Sequence, residues 1–467
     1  MTEATYQTDT ITLYHGDSLI VLAELDDCSV DSIVTDPPYE LGFMGKSWDA
    51  SGVAYNVDLW AECLRVLKPG GHLLAFGGTR TYHRMAVAIE DAGFEIRDSL
   101  HWVYGSGFPK SHNVSKAIDK AAGAEREVIA HQDVGPDIRG GNYENAEGRM
   151  IAEITVPTTD AAKQWDGWGT ALKPAHEPIV LARKPLVGTV AANVLEHGTG
   201  ALNIDGCRVP GEPPSVPQPK FSREMRAGFG ASDGRNGEMS RASGRWPANI
   251  IFDEEAGAEL DQQSGITKDG VAVNRNRTPD NDRAIYTSYQ FGQNRGSDVG
   301  YGGVGGASRF FYCPKASRAE RDAGLDDISV AAKRVTDYAH QVRECTTCGS
   351  RSKRNGRWPD CDHDNWEWVP KKAEAHKGGN PRNIHPTVKP IALMRWLVRL
   401  ITPPDGIVLD PFTGSGTTLA AATLEGVNAV GIELTDDYLP IIIGRCEHAA
   451  GVRAETVDDD TQLSFDW

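Results

Sequence analysis

Four residues at the end of one apolar run carry the most specific chemistry in this chain. The run VDSIVT (30–35) ends in Asp36, Pro37, Pro38 and Tyr39. Two consecutive prolines remove two backbone N–H groups and stiffen the turn, so its carbonyls face outward without local donors. A rigid loop offering a carboxylate, a free carbonyl and an aromatic ring suits a flat base that bears an amino group. Asp36 and the Pro37 carbonyl can accept both hydrogens of an exocyclic amine, leaving its lone pair aimed at an electrophile, while the Tyr39 ring stacks on the base. A plain strand running into a Pro-rich turn, the blander reading, gives the carboxylate and the ring no shared task.

A second constellation is VLDPFTGSGTT (408–418), which puts a strand, a Gly-rich turn and a helix start in sequence. Gly414 and Gly416 let the backbone approach a ligand closely, and Thr417 is placed to cap the helix. Glu433 ends the next strand, 23 residues after Asp410. A carboxylate at about that distance holds ribose hydroxyls in dinucleotide folds. The turn is too short for a phosphate loop, has no GK[ST], and lacks the third glycine expected for a pyrophosphate. A nucleoside cofactor without phosphates fits it, and S-adenosylmethionine is the candidate.

These loops need elements to hold them. Residues 11–110 alternate short apolar strands with helical patterns: ITLYHGD, SLIVLAEL, VDSIVTDPP, LWAECLRVLKPGG and HLLAFGG. Residues 403–450 repeat that grammar with GIVLDPF, a helix from Thr417 to Leu424, NAVGIEL and YLPIIIGRCEHAA. Such alternation marks a parallel α/β sheet. Neither end completes a sheet alone. Joined head to tail, with ITLYHGD entering after the helix of YLPIIIGRCEHAA, they make one doubly wound sheet, a circularly permuted Rossmann-like α/β fold. The expected division is 1–190 for the N-terminal part of the catalytic domain and 191–308 for a loop-rich target-recognition region. Residues 309–380 would hold a return strand and a candidate zinc-binding insertion, and 381–467 the C-terminal catalytic part.

With both motifs in place, the sequence resembles the amino-group DNA methyltransferases, which modify adenine N6 or cytosine N4. DPPY is similar to the family's catalytic motif and DPFTGSGTT to its S-adenosylmethionine motif. The order, catalytic motif first and cofactor motif last with recognition between, resembles the β class. The resemblance implies catalytic roles for Asp36, Pro37, Pro38 and Tyr39. It places Asp410, Phe412, Gly414, Gly416 and Thr417 around the methionine part of the cofactor, Glu433 at its ribose, and Asp17 of YHGD near its adenine ring. HPTVKP (385–390) looks like the motif preceding the cofactor strand, which implies Thr387, Lys389 and Pro390 on the cofactor side. Aspartate rather than serine at the head of the quartet favours adenine N6; cytosine N4 stays the alternative. YELGFMGKSWD (39–49), WVYGSGFPKSHNVSKAIDK (102–120), KPAHEPIVLARKP (173–185) and RFFYCPKASRAERDAGL (309–325) look like segments of phage and bacterial members. The likeness does not reach most of residues 186–300. The implied reaction is methyl transfer to a base flipped out of double-stranded DNA, driven by alignment without a covalent intermediate. Asp36 would orient the amine rather than act as a strong base.

Composition bounds the partners. The chain has 467 residues, with 48 Lys+Arg against 65 Asp+Glu and a net charge of −17. That excludes a wholly basic DNA-coating protein but not local contact, because binding follows the local field. Residues 208–251 carry seven Lys/Arg against four Asp/Glu, and residues 343–389 carry ten against six. These two stretches are the candidate target-recognition surface. No run approaches the ~18 apolar residues of a membrane span, and MTEATYQTDT lacks the features of a signal peptide. A soluble cytoplasmic protein of a bacterium or phage-infected cell is expected, with a cognate restriction endonuclease as a candidate partner and the oligomeric state open. Cys345 and Cys348, followed after twelve residues by Cys361 and His363, have spacing suited to structural zinc, with His376 a rival fourth ligand.

Two other classes account for part of this pattern. A Rossmann oxidoreductase would use the Gly turn and Glu433 but leave DPPY idle. A non-catalytic, zinc-dependent DNA-binding module would use 343–389 but neither α/β end.

Overall fold

In the computed structural model, the two ends of the chain share one nine-stranded sheet. The structure describes residues 3–41, 51–107, 109, 111–136, 149–211, 244–268, 271–272, 299–300, 304–314, 319–325, 341–345, 366–370, 383–385 and 387–463. The strands are β1 (Tyr6–Gln7), β2 (Ile11–His15), β3 (Val30–Thr35), β4 (Leu67–Phe76), β5 (Glu95–Val103), β6 (His176–Arg183), β7 (Ile250–Phe252), β8 (Ile407–Asp410) and β9 (Asn428–Glu433). Their order across the sheet is β1-β2-β9-β8-β3-β4-β6-β5-β7. The central strands β2, β9, β8, β3 and β4 are parallel, and β6 runs antiparallel to β4. β2 joins β9 in register from Ile11 opposite Ala429 to His15 opposite Glu433. The N-terminal strand therefore completes the C-terminal half, as the permuted reading expects.

Strand residues alternate between the two faces, and helices cover both. Ile33, Leu73, Ala75, Val180 and Ala182 point into one core, with Leu22 of α1 (Ser18–Glu24), Leu59 and Trp60 of α2 (Val57–Val66) and Ile89 of α3 (Tyr82–Asp91). Val34, Leu74, Phe76, Ile179 and Leu181 point into the other. There they meet Leu393 and Leu397 of α4 (Ile391–Ile401), Leu419 of α5 (Thr417–Glu425) and Ile442 of α6 (Leu439–Leu463). Each such buried aliphatic or aromatic side chain contributes roughly 1.5–3 kcal/mol.

Two details bear on the expected division. Within 309–380, where a return strand is expected, strands Gln341–Cys345 and Trp366–Pro370 pair with each other; ahead of them Ala307–Phe310 forms a 3-10 turn and Tyr312 bridges to the sheet at Ile251. Pro314 follows two residues later and has no N–H with which to extend that ladder. The N-terminal stretch is also not one piece. Met1–Val103 and Glu177–Trp467 form one compact unit, and Tyr104–His176 forms another.

The smaller unit has its own polar centre. Helices Val114–Ala121 and Asp160–Gln164 accompany an antiparallel hairpin of Val128–Pro136 with Arg149–Thr155. Asp119 is buried and accepts from the Thr159 hydroxyl (2.7 Å), the Thr159 and Thr158 amides (3.0 and 3.1 Å) and Arg126 (2.8 Å). Burial alone would raise its carboxyl, but these donors outweigh it and hold the pKa down at about 2. Among the described residues, no helix is long and apolar enough to cross a membrane.

Candidate active site

β3 and β8 lie side by side, Ser32 opposite Val408 and Ile33 opposite Leu409. From this pair the chain proceeds outward in opposite directions, β8 to β9 and β3 to β4. At such a switch point the loops leaving the carboxyl ends diverge and open a crevice, the usual ligand site of a doubly wound sheet. The two chemical loops are those loops. The Thr35 hydroxyl ties them together by donating to Asp410 Oδ1 at 2.7 Å, across 375 residues of sequence. The same oxygen accepts from the Phe412 amide at 3.1 Å. Burial pushes the Asp410 carboxyl up to about 6, against hydrogen bonds from Thr418, Thr35 and Phe412.

On the β3 side, Asp36 Oδ2 lies 2.5 Å from Lys389 Nζ, while Asp36 Oδ1 is buried with no hydrogen-bond partner among the described residues. Pro37 is buried and Pro38 half-buried. The Tyr39 hydroxyl donates to Glu177 Oε2 at 2.7 Å, and that oxygen lies 3.4 Å from Lys389 Nζ. The ammonium is flanked by the rings of Phe76 (4.9 Å) and Tyr39 (5.3 Å). Burial would lower the Lys389 ammonium, but Asp36 and Glu177 outweigh it and hold the pKa above its ordinary value. Burial, then the two carboxylates, push the Tyr39 phenol well up. The Tyr39 carbonyl accepts from the Thr81 hydroxyl at 2.7 Å. The next residue, Glu40, turns the chain with φ 55°, and its carboxylate accepts from the Gly52 amide at 2.8 Å. A non-glycine residue held in that region is the kind of local strain that clusters at functional sites.

On the β8 side, the turn is built inward from its glycines. Gly414 (φ 55°) and Gly416 (φ 75°) both adopt left-handed backbone. The Gly414 amide donates to Glu433 Oε2 and the Thr435 amide to Glu433 Oε1, each at 2.7 Å. Burial raises the Glu433 carboxyl, and the two amides oppose that. From α6, Arg445 Nη1 donates to the Ser415 carbonyl (2.7 Å), the Thr417 hydroxyl (2.8 Å) and the Ser415 hydroxyl (3.2 Å). His385 Nδ1 lies 2.6 Å from the Thr387 carbonyl, and its ring meets Tyr438 edge-on at 4.7 Å. Burial lowers the His385 imidazole to about 4, so it is neutral near pH 7.

The structure brings together Asp36, Pro37, Pro38 and Tyr39, and separately Asp410, Phe412, Gly414, Gly416, Thr417 and Glu433, on adjoining strand ends. Several expectations shift. Thr417 does not cap α5: Gly416 is the N-cap, with no side-chain cap bond, and the Thr417 hydroxyl is engaged by Arg445 and Ser415. Asp17 is exposed and caps α1, accepting from the Leu19 and Ile20 amides at 2.9 and 3.4 Å. Pro390 is the N-cap residue of α4, and Thr387 is exposed beside His385. Lys389, implied on the cofactor side, lies against the Asp36 carboxylate. Cys345 closes strand Gln341–Cys345, paired with Trp366–Pro370. Cys348, Cys361, His363 and His376 lie outside the described residues, as do most of 208–251 and 343–389. Among the described residues no group of three or more His, Cys, Asp or Glu is placed to hold a metal.

Sequence reasoning passed over Glu177, His385 and Arg445. Arg445 carried a signal, since it is a lone cation within the apolar run YLPIIIGRC. His385 heads HPTVKP, and Glu177 lies in the segment HEPIVLAR, but neither residue type stands out there without its partners.

The N6_N4_Mtase model, described as DNA methylase, matches residues 30–444. The Type II methyltransferase M.ScaI of Streptomyces caespitosus is 39% identical over 87 residues, 19% of this chain and 29% of that protein. M.HindIII of Haemophilus influenzae is 23% identical over 235 residues, 41% of this chain and 64% of that protein. The DNA adenine methyltransferase YhdJ of Escherichia coli is 41% identical over 71 residues, 15% of this chain and 24% of that protein. The matched parts thus span less than two thirds of each relative's length.

Proposed function

From the premise that the chain belongs to the N6_N4_Mtase family of DNA methylases, we propose that it transfers a methyl group from S-adenosylmethionine to the N6 amine of adenine in double-stranded DNA. The observation that carries this reading is Asp36, with one oxygen held by Lys389 and the other buried without a partner among the described residues, on the strand end adjoining the Gly-rich turn. A buried acceptor left unpaired is costly, which fits an atom kept for an incoming N–H.

The chain's own groups have separable tasks. Asp36 and the Pro37 carbonyl receive the two amine hydrogens, which turns the nitrogen lone pair toward the crevice. Tyr39, fixed at its hydroxyl by Glu177 and at its carbonyl by Thr81, offers a ring face to a base taken out of the stack. The turn fits a nucleoside sulfonium: Gly414 and Gly416 present bare backbone, and Glu433 is braced by two amides yet keeps acceptor capacity for hydroxyls. Phe412, Thr417 and Glu433 would hold S-adenosylmethionine with those glycines. When bound, it supplies a methyl already made electrophilic by its sulfur. Alignment of the amine is then the chain's main contribution to rate.

Aspartate at position 36 supports adenine, and so does the local likeness to YhdJ, itself designated an adenine methyltransferase. The test is to methylate DNA with the purified chain and identify the modified nucleoside after digestion. N6-methyldeoxyadenosine is expected. N4-methyldeoxycytidine would move the reading to cytosine, and no modified nucleoside would overturn it. Asp36→Ala should abolish methylation while DNA binding persists. Two further parts of the reading rest mostly on residues outside the described ones. They are target recognition by the basic stretches, and a structural zinc on Cys345, Cys348, Cys361 and His363, tested by metal content before and after Cys348→Ser.

A further inference from the structure

The catalytic quartet is closed on itself by two residues far away in sequence. Asp36 meets Lys389, Lys389 meets Glu177, and Glu177 accepts from Tyr39, so the first and last members of DPPY are joined through a buried ammonium. Three elements supply the ring: the loop after β3, the start of β6, and the residue before Pro390, which caps α4. Lys389 is only 7% exposed and sits between two aromatic rings, so it has little freedom to serve another ligand.

Resting on the function proposed above, we infer that Lys389, braced by Glu177, is a positioning residue that holds Asp36 Oδ2 and thereby assigns Oδ1 to the target amine. The physical case has two parts. An aspartate carboxylate rotates about its last bond unless one oxygen is held, and a short charge-assisted hydrogen bond holds it. Glu177 and Asp36 also share one low-dielectric pocket, with Asp410, His385 and the Tyr39 phenol facing the same region. Two carboxylates this close repel each other, and the Lys389 ammonium, 2.5 Å from Asp36 and 3.4 Å from Glu177, offsets that repulsion and keeps both side chains in place. Lys389 keeps the acceptor oriented, and Glu177 keeps Lys389 in place.

The test uses the full chain with Lys389→Met, Lys389→Arg and Glu177→Gln. Lys389→Met should lower kcat by about 100-fold or more, the scale of losing one preorganised polar contact. Affinities for S-adenosylmethionine and for DNA should stay within about threefold of wild type, a change of well under one factor of ten. Lys389→Arg should recover part of the lost kcat. Glu177→Gln should produce a smaller loss of the same kind. A Lys389→Met protein with weakened cofactor affinity but normal kcat at saturation would overturn the inference and return Lys389 to the cofactor side. A melting-temperature cycle of Asp36→Asn, Lys389→Met and the double variant needs no activity. Because each single change strands a buried partner, the double should melt no lower than the worse single. Additive losses would refute the pairing. Coupling in a wild type that methylates no DNA would instead leave the pairing intact and remove the proposed reaction.

Discussion

Replacing Gly416 with alanine should damage the fold and the site together, by an amount that follows from two features of one backbone position. Gly416 is the N-cap of α5 with φ 75°. Holding an L-residue in left-handed backbone costs roughly 1–2 kcal/mol. A Cβ there would also lie 2.9 Å from Ile442 Cα and 3.1 Å from Ile442 Cγ2. Ile442 is fully buried in α6, so backbone would have to yield. Overpacking of this kind adds roughly 1–3 kcal/mol. Together the two effects predict a loss of about 2–5 kcal/mol, a large share of the ~5–15 kcal/mol typical of a folded domain. Gly414→Ala is the internal comparison. Its φ of 55° brings similar strain, but its Cβ would face His385 Nε2 at 2.9 Å, a side-chain atom rather than backbone. Its expected stability loss is only about 1–2 kcal/mol. The larger consequence at Gly414 should be weaker S-adenosylmethionine binding, because its amide bonds Glu433. Thermal melts of both variants and titration calorimetry with S-adenosylmethionine separate the two effects. A Gly416→Ala protein melting within about one degree of wild type, or melting above Gly414→Ala, would refute the argument from close approach.

Other outcomes follow from the same geometry. Arg445→Met removes three hydrogen bonds from the Gly-rich turn, and should cost on the order of 2 kcal/mol in urea unfolding and weaken cofactor binding. Lysine at that position should not restore it, since one ammonium cannot reproduce the planar fork. The Asp410 carboxyl is raised from 3.8 to about 6, so its contribution is present below 3.8 and is lost as pH rises through about 6. Asp410→Asn keeps the acceptor for Thr35 and Phe412. Its urea midpoint should equal or exceed that of wild type at alkaline pH, and a clearly lower midpoint there contradicts the assignment. Asp119→Ala takes the carboxylate from Arg126 and removes the acceptor for Thr158 and Thr159. Limited proteolysis should then cut within 104–176 first, and an unchanged cleavage pattern would count against that polar centre.

Much of the site was legible because it is written in residues whose effect is local. Two prolines make a stiff loop wherever they occur together, and the glycines of GSGTT fit a tight turn whose direction only glycine tolerates. Alternating apolar residues marked β2, β3, β4, β8 and β9, and the incomplete grammar of each chain end implied that they belong to one sheet. That implication is met by the pairing of Ile11 with Ala429.

Which charged groups meet was settled only by tertiary structure. Lys389 is 353 residues from Asp36, and Glu177 is 138 from Tyr39. Hydrophobic period reports which face a residue occupies on its own element. It says nothing about which loops emerge side by side, since that depends on strand order. Loop chemistry and the α/β class follow from local residue types and their period. The contact of Asp36 with Lys389, and of Arg445 with the Gly-rich turn, arose only when β3 and β8 became neighbours and the helices packed over them.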